Sequence, residues 1–213
     1  MGPDALRRAG QAFRYWEHRQ EVVANNLANA STPGFKGDRV FARLMAESRG
    51  VEAQSRTDFS PGALTETDRP LDLALDGKGF MVVETPGGER LIRGGSFQLD
   101  VSRTVVDPEG NPLLGDSGPI VLPEGGTFEF SPQGEVRVDG SVVARLRMVK
   151  LNEDAALDRE GSLRFRVEGE TSPLEEGDVR VRQGHLEESN VDPTGSMVEM
   201  IEIQRAYSAL QRS

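Results

Sequence analysis

The chain has 213 residues, 36% hydrophobic and 6% aromatic, which bounds it to one large domain or two small ones with a modest core. Its 35 acidic residues outnumber 25 basic ones, for a formal charge of −10, and no basic block interrupts that balance; nucleic acid and an anionic membrane surface are disfavoured as partners. There are no cysteines, which excludes disulfides, thiolate metal sites and cysteine nucleophiles.

The N-terminus, MGPDALRRAGQAF, carries no apolar run of the secretory kind, so any export is expected without a cleaved signal peptide. No stretch approaches the ~20 apolar residues of a membrane span, so no membrane insertion is expected. From Ala5 to about Ala30 the pattern is helical. Leu6, Ala9, Phe13, Trp16, Gln20, Val23, Leu27 and Ala30 recur at alternating intervals of three and four, a heptad seam with Gln20 as its polar member. Asp4 is the expected N-cap, and Pro33 with Gly34 ends the run. The helix finishes on Asn25, Asn26 and Asn29, placed around Leu27. Asparagine amides compete for backbone hydrogen bonds, so they weaken a helix interior.

Residues 36–70 are polar and read as an extended linker. From 71 to 151 the pattern changes to short strands between turn signals: TPGG at 85–88, DPEGN at 107–111, GDSG at 115–118, PEGG at 123–126 and SPQG at 131–134. This predicts an antiparallel barrel or sandwich. Its clearest unit is TFEF-SPQG-EVRV, where Phe128 and Phe130, then Val136 and Val138, alternate with polar residues across a four-residue turn. Residues 152–196 read as a second polar connecting region. A helix is expected over 197–213, with Met200, Ile203, Tyr207 and Leu210 spaced three, four, three. Thr194 or Ser196 is the expected cap, and Glu199 completes a capping box with Ser196. The expected fold class is therefore α+β. A core of helices at 1–35 and 197–213 pairs as a coiled coil, and the all-β domain is inserted between them.

The chain offers little chemistry. Its two histidines, His18 and His185, stand far apart, so no histidine-based catalytic set or metal site is expected. LDGKGF at 75–80 lacks the spacing of a phosphate loop and reads as a turn, as does RGGS at 93–96. Glu175–Glu176 and Glu187–Glu188 read as solvated pairs. A hydrolase would need opposed carboxylates, such as Asp100 or Asp107 with Glu109. The expectation is a protein that is not an enzyme and takes no cofactor.

Three blocks carry a resemblance. VANNLANASTPGFKGDRVFARL at 23–44, SPGALTETDRPLDLALDGKGFMVV at 60–83 and HLEESNVDPTGSMVEMIEIQRAYSALQ at 185–211 resemble the signatures of the flagellar rod and hook proteins, in that family's order. The resemblance implies an axial structural subunit of the bacterial flagellar basal body. Such a subunit leaves through the flagellar type III export apparatus. It polymerises as a helical tube, its terminal helices pairing as a coiled coil around the export channel and transmitting torque, with the β domain outward. The implied partners are further copies and neighbouring rod proteins, and the implied place is the rod in the periplasmic space. The chain looks most like the smaller rod member between proximal and distal rod; a distal-rod or hook-type paralogue is the alternative. Family members continue the last helix beyond the point where this chain stops, at Gln211-Arg212-Ser213, so the last helix is expected to be cut short or unusually short.

In a tube of identical subunits the asparagines take on two readings: they cap their own helix end, or they bond neighbours and fix register without charge. The expected subunit-interface residues are Phe13, Trp16, Val23, Asn25, Asn26, Leu27, Asn29, Phe35, Asn190, Met200, Ile203, Tyr207 and Leu210. Residues 1–35 and 190–213 are expected to be mobile in the free monomer and to order on assembly. A reading from a different class is an extracellular binding module, with a glycan- or protein-recognising β domain on a helical stalk.

Overall fold

A computed structural model of the chain describes residues 3–45, 50–152, 155–174 and 177–211. Side chains at 3–9, 43–45, 50–52, 210 and 211 lie outside that description, among them Leu6, Ala9 and Leu210 of the expected seams; Glu175 and Glu176 also lie outside it. The chain divides into two compact units, one of residues 1–60 with 189–213 and one of residues 61–188.

The first unit contains α1 (Pro3–Ala28), β1 (Asp38–Met45), β2 (Gly50–Thr57) and α2 (Pro193–Gln211). α1 stops where the asparagines and Pro-Gly predict. The Asn25 carbonyl accepts the Asn29 N–H at 3.1 Å, and Gly34 turns the chain with φ 77°, a left-handed conformation that a side chain resists. β1 and β2 form an antiparallel hairpin, with Asp38 opposite Thr57 and Met45 opposite Gly50. α2 begins earlier than expected and with a different cap. The Asp192 carboxylate accepts the Thr194 N–H at 3.0 Å and its carbonyl accepts the Ser196 N–H at 3.0 Å. Pro193 occupies the first helical position, where its missing N–H costs nothing. Glu199 closes no capping box; it pairs with Arg19 of α1 at 2.7 Å.

The expected α+β class with a coiled-coil core does not hold. Among the described residues there are twenty strands and two helices, so the fold is predominantly β. The helices do meet: the Phe13 ring stands edge-on to Tyr207 at 5.3 Å. A coiled coil, however, encloses each seam residue in a hole of the facing helix. Among the described seam residues only Val23 and Ile203 are enclosed; Phe13, Trp16, Leu27, Met200 and Tyr207 are half-buried and Gln20 is exposed. The cause is that α1 divides its contacts among α2 and both strands of the hairpin.

The second unit is antiparallel β. Its largest sheet has six strands, in the order Ala156–Glu160, Arg164–Glu168, Gly88–Ile92, Phe80–Thr85, Met148–Leu151 and Thr171–Pro173. A three-stranded sheet places Asp72–Gly77 between Val179–Gln183 and Gly94–Ser96. A second runs Phe128–Phe130, Glu135–Val138, Ser141–Arg145 and contains the TFEF-SPQG-EVRV hairpin, with Phe130 opposite Val136. Leu73, Met81, Val83, Leu113 and Val136 fill a core closed to solvent. LDGKGF is the turn that carries the chain from one sheet to the next. RGGS is not the expected turn: Gly94–Ser96 is a strand, and Gly94 lets it press on its neighbour, since a Cβ there would lie 2.4 Å from the Leu73 carbonyl oxygen. Segments expected as connectors are also strands here, because Phe165 and Val167, then Val179 and Val181, alternate toward the core.

Glu187 is not solvated. It is 2% exposed and faces Arg93, itself 4% exposed, at 3.4 Å. Arg93 also donates to the Leu75 carbonyl at 3.1 Å, and Glu187 accepts the Gly62 N–H at 3.0 Å. A buried pair of this kind survives desolvation only because its remaining hydrogen-bonding capacity is used.

Candidate subunit interface

The residues expected at an interface fall into two groups. The first tightens the point where the chain leaves α1 and returns to α2. Asn26 treats Asp38 as a strand would: its amide donates to the Asp38 carbonyl at 2.8 Å and accepts the Asp38 N–H at 2.9 Å. Asn190 does more. Its oxygen accepts the Gly37 N–H at 2.8 Å, and its NH2 is shared between the Asp58 carbonyl at 2.7 Å and the Ser60 carbonyl and hydroxyl, each at 3.1 Å. Gly37 must be small, since a Cβ there would sit 2.9 Å from a Val191 methyl. Phe35 is 1% exposed, and the fully buried Lys36 ammonium donates to the Ser60 carbonyl at 2.8 Å. Each link places a side-chain donor or acceptor on a backbone group that no helix or sheet serves.

Asp58 closes this knot. The Ser60 N–H bonded at 2.9 Å is the main reason its carboxyl is held below the ordinary range; burial opposes that, and the Ser60 hydroxyl and Arg39 add to it. Arg39 reaches the same carboxylate at 2.6 Å. Asn29 belongs to its own helix, donating to the Asn25 carbonyl at 3.0 Å and accepting from the Thr32 hydroxyl at 3.3 Å. A groove of 430 Å³ runs beside the knot, lined by α1, α2, Gly37–Val40 and Asp58.

The second group lies along the helices. Val23 and Ile203 are enclosed within the unit. Phe13 and Tyr207 form the ring pair, Leu27 and Met200 are half-buried, and Trp16 stacks edge-on to Tyr15 at 5.5 Å under the Arg19 guanidinium at 5.4 Å. Asn25 alone among the four asparagines of the two signatures presents its side chain to solvent. The structure adds residues the sequence reading passed over: Gly37, Asp38, Asp58, and the Arg19–Glu199 pair. It also exposes Met197, Val198 and Ile201, each about half open to solvent.

The carboxylates considered for hydrolysis have other employment. Asp100 accepts the N–H groups of Ser102 and Thr104, both at 2.8 Å, as a turn-forming residue. Asp107 accepts from Asn111 at 2.9 Å and from Arg164 at 3.2 Å, and Glu109 pairs with the same guanidinium at 2.5 Å. Burial lowers the Arg164 pKa, but Glu109 and Asp107 outweigh it and raise the value overall. His18 lies 3.8 Å from Glu21 on α1, and His185 contacts the Gln183 carbonyl at 2.9 Å in the β unit.

Three family models match the chain in sequence order. They are the flagella basal body rod protein model over residues 17–36, the flagellar hook protein FlgE/F/G D1 domain over 74–144, and the flagellar basal body rod FlgEFG protein C-terminal model over 182–213. Among full-length relatives, the flagellar basal-body rod protein FlgF of Escherichia coli (strain K12) is 34% identical over 214 residues, covering 89% of this chain and 84% of the relative. FlgF of Caulobacter vibrioides is 32% identical over 206 residues, covering 90% and 84%. The flagellar basal-body rod protein FlgG of Bacillus subtilis is 28% identical over 236 residues, covering 92% and 88%. Asn26 and Phe35 of the knot lie in the first of these matched segments and Asn190 in the last, and the chain belongs to the flagellar basal-body rod and hook family.

Proposed function

We propose that the chain builds the rod as a FlgF-type subunit, polymerising helically with copies of itself and with neighbouring rod proteins. Family membership makes it a structural subunit of the basal-body rod. The finer reading places it in the periplasmic span of the rod, delivered by the flagellar type III export apparatus without a cleaved signal. There it transmits torque and forms part of the channel wall, with Asn25, Trp16, Leu27 and Met200 among its contacts to neighbours. The observation that carries the FlgF assignment is that identity reaches 32–34% with three FlgF relatives and only 28–29% with the FlgG relatives, at similar coverage. The distal-rod paralogue is the second reading, favoured by the FlgG matches themselves.

A structural subunit needs no catalytic residue, and the carboxylates of the β unit are turn and ion-pair residues. The test is deletion of the gene in the source bacterium followed by electron cryotomography of basal bodies. Rods arrested part-way, with no hook, are expected, and the arrest length separates the two paralogue readings. Complete flagella with normal swimming would overturn both.

A further inference from the structure

α2 has two faces. With ~100° between successive residues, Ile203 marks the enclosed side, and Thr194, Val198, Ile201 and Arg205 form a stripe directly opposite. All four are exposed, Val198 and Ile201 by 53% and 50%. On α1, Val23 marks the enclosed side, and Glu17, Glu21, Ala24 and Ala28 form an exposed stripe about 130° around the helix from it. Both stripes follow the spacing four, three, four. Laid antiparallel, they match position by position.

We propose that the outer stripe of α2 docks on the outer stripe of α1 in a second copy of this chain. The inference rests on the rod-subunit reading above and names which faces meet. In the antiparallel register Val198 falls on Ala24, where small side chains leave room for the larger one. Thr194 falls on Ala28, and the aliphatic part of Glu21 covers Ile201. Arg205 falls on Glu17. Glu17 and Arg205 are both exposed and unpaired within the described residues of the chain, so each keeps its charge available for the other. The parallel orientation sets Thr194 on Glu17, Val198 on Glu21, Ile201 on Ala24 and Arg205 on Ala28, so it separates Arg205 from Glu17 and leaves both charges without a partner. Charge therefore selects the antiparallel arrangement. Asn25 borders the α1 stripe and lies beside Met197 in this register, which gives its solvent-facing amide a place at the edge of the contact. On α2 the contact uses the side opposite the predicted seam and on α1 the side that flanks it, about 100° around the helix, so it adds to the α1–α2 packing of each unit.

The absence of native cysteines makes the test clean. Two differently tagged copies, Ala24→Cys and Val198→Cys, are expressed together in the source bacterium lacking its own gene. Isolated basal bodies are then treated with a short bis-maleimide. The expected result is a mixed-tag cross-linked dimer that is absent when either variant is expressed alone. Basal bodies that contain both tagged copies without the mixed dimer would overturn the docking and leave the rod reading intact. Basal bodies that lack even the tagged parent chain would overturn the rod reading, and the docking with it. The charge pair gives an independent arm. Arg205→Glu is expected to lower incorporation about two- to five-fold, the scale of one exposed ion pair, and Glu17→Arg in the same chain to restore it. A double variant no better than the single one would remove Glu17 as the partner.

Discussion

The two units solve the same problem in opposite ways. The β unit hides its large side chains: Leu73, Met81, Val83 and Leu113 are closed to solvent within sheets whose backbone groups serve one another. The helical unit encloses Val23, Phe35 and Ile203 and leaves Met197, Val198 and Ile201 about half open. Its shape depends on amides and one lysine set against individual backbone groups. Apolar burial is strong and non-directional, whereas a hydrogen bond contributes less and fixes geometry. A subunit that must reserve apolar surface for its neighbours cannot spend that surface on its own core. It can still hold a defined shape through a few well-placed polar side chains.

Mutations in the two units test this contrast. The largest effect is expected in the β unit. Phe165 is fully buried with its ring 6.3 Å from Phe80, and Phe165→Ala should cost about 3–5 kcal/mol in denaturant unfolding. Next comes the knot. Asn190→Ala removes the partners of Gly37, Asp58 and Ser60 at once and should cost about 2–3 kcal/mol. Thermal loss of helical circular dichroism reads this out, and an unchanged midpoint would show that the knot does not hold the unit.

A smaller effect follows from Asp58. Its folded-state pKa lies below the ordinary 3.8, so its contribution is fully present above that value and is lost as pH falls through the lowered one. Asp58→Asn should therefore lower the helical unit's stability at neutrality, lose that difference from the parent below about pH 4, and so flatten the acid limb; an unaltered acid limb would rule this out. The smallest effect on folding is expected at Asn25. Asn25→Ala should move stability by no more than ~0.5 kcal/mol, as for an exposed position without partners, while lowering incorporation into rods. A change in stability as large as that of Asn190→Ala would erase the distinction between the two asparagines.

The sequence was legible where local chemistry decides the outcome. TFEF-SPQG-EVRV became the expected hairpin, since alternation and a Pro-Gly turn specify both faces and register. The end of α1 was legible for the same reason. The cap of α2 was readable and passed over: Asp192-Pro193 is a stronger start than Thr194 or Ser196, because it combines a carboxylate acceptor with a residue that lacks the unbonded N–H. RFRVE and VRVRQ also alternated, but each is short and set among polar residues that read as connector. The partners of Asn26 and Asn190 were beyond local reading. An asparagine at a helix end fits its own cap as well as a distant backbone group, and the Gly37 N–H lies 153 residues from Asn190. The heptad seam misled because periodicity reports that a face is apolar, not what covers it; on α1 the hairpin claims part of that face.

The ribbon that joins Leu64–Glu66 to His185–Glu187 bears on the order in which the chain folds. The β unit is one continuous stretch of sequence, whereas the helical unit is assembled from both ends of the chain. Closing a loop of that length in an unstructured chain would cost about 4 kcal/mol in entropy. Once the ribbon has formed, the Glu188 N–H is bonded to the Ala63 carbonyl at 2.8 Å, and residues 60 and 189 emerge side by side. The β unit then acts as a template that meets the closure cost in advance, and the helical unit can be completed late, after the last residues of α2 have arrived.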